Sequence, residues 1–330
     1  MLLINTAVFV ALCVKTRTVF MPSVAGLLAF GAKDPVRLAH GELWRLFTPI
    51  FLHVGLIHYA VNSYALYIVG YQLERILGGP WFMATYLAAG TLGNISSGVF
   101  SVNMSAGASG AIFGLLGAGL LIERKVGRQI QATTGQNPRR RAYLMTVLLN
   151  LAFGFLVPFI DNSAHLGGLV AGLLLTLAML SLRPNRLQRP SRSLGIALIA
   201  ITLLLAGVGT YLASSPAYLL PRLEAAGDKA SEADQQVYHY SQALSVDPAD
   251  APVRLKRARA LLLAGEAKYG LYDAQRLLSQ GGHELEIASL AAEVEAKGHA
   301  PEANALRTLM AMKPQSPTPP PDEDSSLDEL

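Results

Sequence analysis

Up to about residue 220 the chain is a series of apolar runs near the length that crosses a bilayer. They cover residues 48–70, 80–100, 107–122, 142–160, 164–182 and 193–213, after a shorter run from Leu2 to Val14. Lipid offers no hydrogen-bond partner to a backbone, so runs of this kind can persist only as helices packed together. Composition agrees, with 52% hydrophobic and 15% charged residues against about a quarter charged in soluble domains. Beyond 220 the sequence turns polar or Ala-rich. The fold class expected is all-α: a polytopic membrane bundle of six core helices plus one C-terminal helix, followed by a small helical domain outside the membrane.

The Leu2–Val14 run is short and is followed at once by Lys15 and Arg17. It lacks the basic start and small-residue cleavage site of a secretory signal. It reads as a shortened first helix or the remnant of one that begins upstream, giving seven spans. Arg124, Lys125, Arg128, Arg139, Arg140 and Arg141 lie between the fourth and fifth spans, and Arg183, Arg186, Arg189 and Arg192 between the sixth and seventh. The connections 94–106 and 161–164 carry no Lys or Arg. Positive charge accumulates on the cytoplasmic side, so the two arginine-rich connections are expected inside and the uncharged ones outside. Lys15, Arg17, Lys33 and Arg37 pull against that orientation. The net charge of +4 is placed for topology and has no aromatic platform beside it, which argues against nucleic acid as a partner. The single cysteine, Cys13, cannot form an intrachain disulfide or a thiolate metal site.

Within this frame, Ser109 opens the fourth apolar run in the sequence Gly107-Ala108-Ser109-Gly110. A hydroxyl there gains nothing from lipid, and flanking glycines weaken a helix. A nucleophilic serine needs a base and donors for an oxyanion. His165 lies at the same predicted depth, at the outer end of the sixth run. Gly110 and Gly114 on one helix and Gly168 and Gly172 on the other each form the Gly-x-x-x-Gly spacing that lets backbones approach. Ordinary packing would use the same motif. His58 and Asn62, four residues apart, share one helix face and suit an oxyanion donor pair, although interhelical hydrogen bonding would use them equally well. A metal site is the other alternative, since His53, His58 and His165 are all imidazoles. Against it, His53 and His58 are five apart on different faces of the expected helix, and no thiol or placed carboxylate completes a set. No cofactor is expected. Asp161 precedes His165 by four residues but falls in the loop, so the economical arrangement is a Ser109–His165 dyad with a neutral imidazole at pH 7.

Together these residues resemble the rhomboid family of intramembrane serine proteases. The matching pieces are Trp44-Arg45, His53 with His58-x-x-x-Asn62, Gly107-Ala108-Ser109-Gly110 and Ala164-His165-Leu166-Gly167-Gly168, in family order over residues 1–182. The resemblance implies a six-helix core with the nucleophile Ser109 at the base of a water-filled cavity and His165 as general base. It implies an oxyanion hole from His58, Asn62, the Ser109 N–H and the Gly107 region. The aromatic that packs beneath the histidine is commonly Tyr in the family and is Phe113 here, so the ring remains and its hydroxyl does not. Residues 15–47, with Leu27, Leu28 and Phe30 near Trp44-Arg45, look like the family's membrane-dipping first loop, which would set Arg45 at an interface.

From about 230 to 312 the chain is Ala/Leu-rich at helical spacing, and Tyr240 to Pro248 resembles the end of a tetratricopeptide repeat. A plain helical bundle fits equally. The expected organisation is a protease core (1–182), a basic cytoplasmic loop with a seventh span (183–213), a helical domain (214–312) and a disordered Pro-rich acidic tail (313–330). The function expected is an intramembrane serine endopeptidase of a bacterial inner or plasma membrane. Its active site and C-terminal domain would face away from the cytoplasm, and its partners would be single-span membrane substrates, lipid and a protein bound by the C-terminal domain. The alternatives are a catalytically silent relative that chaperones membrane helices, and a transporter. The transporter lacks support because no inverted repeat is visible.

Overall fold

The computed structural model describes residues 1–134, 138–157, 160–182 and 191–312, in two compact units, Met1–Ser215 and Pro216–Leu330. Among the described residues the fold is all-α, and the only extended pairing is an isolated antiparallel bridge between Lys33 and Ser105. In the first unit α1 (Leu2–Thr16) is followed by a loop that holds α2 (Val24–Ala29) and α3 (Pro35–Ala39). Then come α4 (Leu56–Ala65), α5 (Tyr71–Leu77), α6 (Gly79–Phe100), α7 (Ser109–Thr134), α8 (Pro138–Leu156), α9 (Asn162–Leu182) and α10 (Arg192–Ser214).

Each expected apolar run carries a helix, but two boundaries move. The run 48–70 begins with a tight turn, Thr48–Phe51, led by Pro49, and the helix starts only after Gly55. Gly55 has φ 156°, and a Cβ there would lie 2.1 Å from the Phe20 carbonyl oxygen, so the chain must break at this point. The helix then runs from Leu56 to Leu77 as α4 and α5, joined by the wide π turn Leu66–Gly70. Helix α7 continues well past residue 122, because Glu123 and the residues after it are good helix formers with no proline until Pro138. Much of the basic connection is therefore helical, and Arg139 at the start of α8 approaches Glu123 at 3.9 Å. Arg183, Arg186, Arg189 and the tail 313–330 lie outside the described residues.

The first unit has a buried apolar core, and it also exposes many apolar side chains and buries several polar ones. Leu203, Leu204 and Tyr211 on α10, Leu149, Phe155 and Leu156 on α8, and Ile57 and Tyr64 on α4 are all more than 60% exposed. Asn5, Lys33, His53, Asn94, Ser97 and His165 are buried. An apolar surface this extensive marks a nonaqueous surrounding. By length and composition α9 and α10 are long and apolar enough to cross a membrane.

The centre of this unit is the packing of α7 against α9. A Cβ on Gly168 would sit 2.0 Å from the Gly110 oxygen, and one on Gly172 would sit 2.0 Å from the Gly114 oxygen. The two backbones are in contact, which any larger residue would prevent. Helix α6 completes the trio: a Cβ on Gly93 would lie 2.7 Å from the Ala164 oxygen, and Ser96 donates to the Ser163 carbonyl at 2.8 Å.

The second unit is built from α11 (Pro216–Lys229), α12 (Ala233–Val246), α13 (Ala251–Leu263), α14 (Ala267–Gln280), α15 (Glu284–Ala296) and α16 (Ala300–Ala311). Neighbours in sequence pack as helical hairpins around Ala258, Leu262, Leu277, Ile287, Leu290 and Leu306. Asp273, fully buried, accepts from Arg254 Nη1 at 2.9 Å and from Arg257 Nε and Nη2 at 2.7 and 2.8 Å.

Two stability outcomes follow from these contacts. Gly172→Ala should destabilise the first unit by about 1–3 kcal/mol through overpacking, read as a lower unfolding midpoint in detergent, while Gly207→Ala, whose Cβ meets nothing within 4 Å, should leave it unchanged. Asp273→Ala strands two buried guanidinium groups and should cost about 3–5 kcal/mol, seen as an early loss of helical circular dichroism.

Candidate active site

Ser109 is the first residue of α7 and His165 lies one turn into α9. The glycine contact brings these two helix ends together, and Ser109 Oγ stands 2.9 Å from His165 Nε2. That is hydrogen-bond distance between a hydroxyl and a ring nitrogen. The imidazole is 7% exposed and stacks on Phe113, with centroids 4.3 Å apart and planes 9° from parallel. Phe113 is one turn beyond Ser109 on the same helix, so a single element supplies both the hydroxyl and the ring support. The phenyl ring fixes the imidazole plane without a polar contact of its own.

Asp161 does not complete a triad. Its Oδ1 accepts from the Ala164 N–H at 3.0 Å and so caps α9, while its Oδ2 accepts a short hydrogen bond from Ser97 Oγ. His165 Nδ1 is buried and makes no hydrogen bond among the described residues. The arrangement is a dyad in geometry.

Gly107 borders the same space. Its φ is 150°, and a Cβ there would meet His58 Nε2 at 3.0 Å and Ser109 Oγ at 3.5 Å. The missing side chain therefore leaves a gap between the imidazole of His58 and the hydroxyl of Ser109. The Gly107 N–H is anchored on the Pro49 carbonyl at 2.9 Å. His58 Nδ1 accepts from the Val54 N–H at 3.4 Å, a bond that requires the proton of a neutral His58 to sit on Nε2, beside that gap. Asn62 is buried on the same face as His58, as the i, i+4 spacing implies, but its Nδ2 donates to the His58 carbonyl at 2.9 Å. The amide is thus held against its own helix.

His53 departs from the sequence expectation. It precedes α4 instead of lying on it, and its ring packs edge-on against His58 with centroids 5.4 Å apart. The break at Gly55 removes the helical phase that would have turned the two rings apart. Arg45 departs as well. It is 3% exposed and donates to the Leu28 and Ala32 carbonyls at 2.7 and 3.1 Å and to Glu42 at 2.7 Å. Its guanidinium lies over the Trp44 ring at 4.4 Å. Arg45 is an internal clamp of the first loop, tying the Leu28 carbonyl near the end of α2 to the Ala32 carbonyl three residues beyond that helix.

Sequence reasoning passed over Lys33 and Ser97, both fully buried and joined by a 2.9 Å hydrogen bond. A serine inside an apolar run and an aspartate just ahead of a helix were the available signals. Among the described residues no group of three His, Cys, Asp or Glu side chains could hold a metal ion.

Comparison with known proteins shows the family. A family model described as the Rhomboid domain matches residues 40–182. The chain is 49% identical over 146 residues to rhomboid protease GluP of Bacillus subtilis (strain 168), covering 44% of this chain and 28% of that protein. It is 38% identical over 177 residues to RHOMBOID-like protein 1 of Arabidopsis thaliana, covering 52% and 43%. It is 36% identical over 155 residues to the putative rhomboid protease YdcA of Bacillus subtilis (strain 168), covering 45% of this chain and 73% of that protein. The chain thus spans less than half the length of the first two relatives and nearly three quarters of the third. All of the site described above lies in or beside the matched segment, and the chain belongs to the rhomboid family of integral membrane proteins.

Proposed function

We propose that the chain is an intramembrane serine endopeptidase that works through a Ser109–His165 dyad. The observation that carries this reading is the 2.9 Å separation of Ser109 Oγ and His165 Nε2, on an imidazole already oriented by Phe113. His165 takes the hydroxyl proton as Ser109 attacks the scissile carbonyl, then gives it to the leaving amine, leaving an acyl-enzyme that water hydrolyses. The oxyanion is held by the Ser109 N–H at the start of α7 and by His58 across the gap at Gly107. Asn62 joins them once its amide turns away from the His58 carbonyl. Substrates are single-span membrane proteins whose helices unwind near small residues.

The outward orientation follows from charge. Lys33 is fully buried and engaged with Ser97, so it leaves the count of charges opposing that orientation. Arg37 approaches Glu42 at 3.7 Å. The arginines at residues 124, 139, 140 and 141 then outweigh Lys15 and Arg17. The second unit, which follows α10, lies outside the cytoplasm and binds a protein partner or the outer portion of a substrate through its helical hairpins, in the manner of tetratricopeptide repeats.

Purified protein on a labelled single-span substrate tests the chemistry. Ser109→Ala and His165→Ala should fall to background, and Asn62→Ala should lose about 100-fold or less, as one donor among several. Equal cleavage by wild type and Ser109→Ala would replace this reading with a silent helix-binding protein. A reporter active only in the cytoplasm, fused after Ser215, should stay silent, and a signal there would reverse the topology.

A further inference from the structure

We propose that Lys33, Ser97 and Asp161 form a buried brace that positions both members of the dyad, an inference that rests on the reading of Ser109 and His165 given above. Lys33 and Ser97 are both 0% exposed, and Lys33 Nζ donates to Ser97 Oγ at 2.9 Å. Ser97 Oγ in turn donates to Asp161. The Lys33 charge and the Ser105 hydroxyl also act on the Asp161 carboxylate.

The brace has two outputs. Asp161 stands four residues before His165, caps α9 through the Ala164 N–H and accepts the His165 N–H on its own carbonyl at 3.2 Å. Ser105 stands four residues before Ser109, and its backbone exchanges two hydrogen bonds with Lys33, at 2.9 and 3.0 Å. One charged cluster therefore fixes the approach to the nucleophile and the start of the helix that carries the base. Burying an ammonium group is costly, and an apolar side chain of similar volume would pack this space at no such expense. What apolar packing cannot supply is a directional tie to two segments at once.

The test compares Lys33→Met, Ser97→Ala, Asp161→Asn and the Lys33→Met/Asp161→Asn double variant in the full chain. Each is measured as kcat and KM on a labelled single-span substrate and as the rate of Ser109 labelling by a fluorophosphonate. All rates are taken per folded molecule. The single variants should lose about 10- to 100-fold in kcat, the scale of a small misplacement, with KM nearly unchanged. The double variant is neutral and retains the cap, because the Asn carbonyl still accepts from Ala164. It should be clearly more active than Lys33→Met, which leaves Asp161 buried without its counter-charge.

If kcat and the labelling rate per folded molecule stay at wild type and only the unfolding midpoint drops, the brace is packing and the proposal fails. Strictly multiplicative losses in the double variant would also overturn it. Should Lys33→Met not fold, Ser97→Ala decides, since it removes one hydroxyl and leaves both charges. Wild type labelled at Ser109 together with unimpaired brace variants sinks the brace alone. A wild type that the probe does not label while Ser109→Ala matches it in cleavage sinks the dyad, and the brace with it.

Discussion

Everything in the first unit depends on the backbone contact between α7 and α9. Two helices with ordinary side chains pack with axes about 8–10 Å apart, and any side chain on this seam would push the helix bearing Ser109 away from the helix bearing His165. With Gly168 against Gly110 and Gly172 against Gly114, the separation shrinks until Ser109 and His165 are neighbours. In lipid no hydrophobic force draws helices together, so close dispersion contact and hydrogen bonding must do it. The same glycines that hold the bundle therefore set the Ser109–His165 distance on which the proposed chemistry relies. A substitution on this seam acts on stability and geometry together.

The second constraint is polarity. A Ser–His pair inside an apolar bundle needs a polar surrounding, and each buried polar group must be satisfied or it costs free energy. The first unit pairs several of its buried polar groups with one another at one end of the α6, α7 and α9 trio. Lys33, Ser97 and Asp161 lie there with Asn94, whose amide donates to the Leu46 carbonyl at 3.0 Å. Arg45 does the same for the carbonyls of Leu28 and Ala32. The first loop is consequently an ordered polar lattice, and its contacts reach the segment that carries Ser109.

Much of this was legible in the sequence, for reasons that can be stated. Apolar runs mark helices because lipid leaves no alternative for the backbone, and the periodicity of Gly110/Gly114 and Gly168/Gly172 marks the seam because only glycine permits it. Ser109 and His165 were singled out because each sits beside a glycine motif, and Phe113 because of the family resemblance. What escaped was nonlocal. The break at Gly55 is imposed by the Phe20 carbonyl, 35 residues away in sequence, and no window of residues 48–70 contains that information. Arg45 looked like an interfacial charge because a run of sequence cannot show the carbonyls of residues 28 and 32 folding over it. Lys33 was counted toward topology for the same reason: its partner Ser97 lies on helix α6, 64 positions on.

The two units show how far the surrounding solvent, more than helix propensity, decides what a helical sequence does. Both are built of helices rich in apolar residues. In Pro216–Leu330 the apolar residues turn inward around Leu262, Leu277 and Ile287, and the charged ones spread over the surface, where Arg259 pairs with Glu293 and Arg307 with Glu295. In Met1–Ser215 many apolar side chains also face outward, and Lys33 and Arg45 are buried. A buried charge in the second unit, Asp273, is gripped by two guanidinium groups and needs to do nothing but hold helices α13 and α14 together. A buried charge in the first unit lies in a medium where the alternative to pairing is far worse, so its position is fixed more strictly by its partners. That strictness is what the proposed brace of Lys33 and Asp161 relies on.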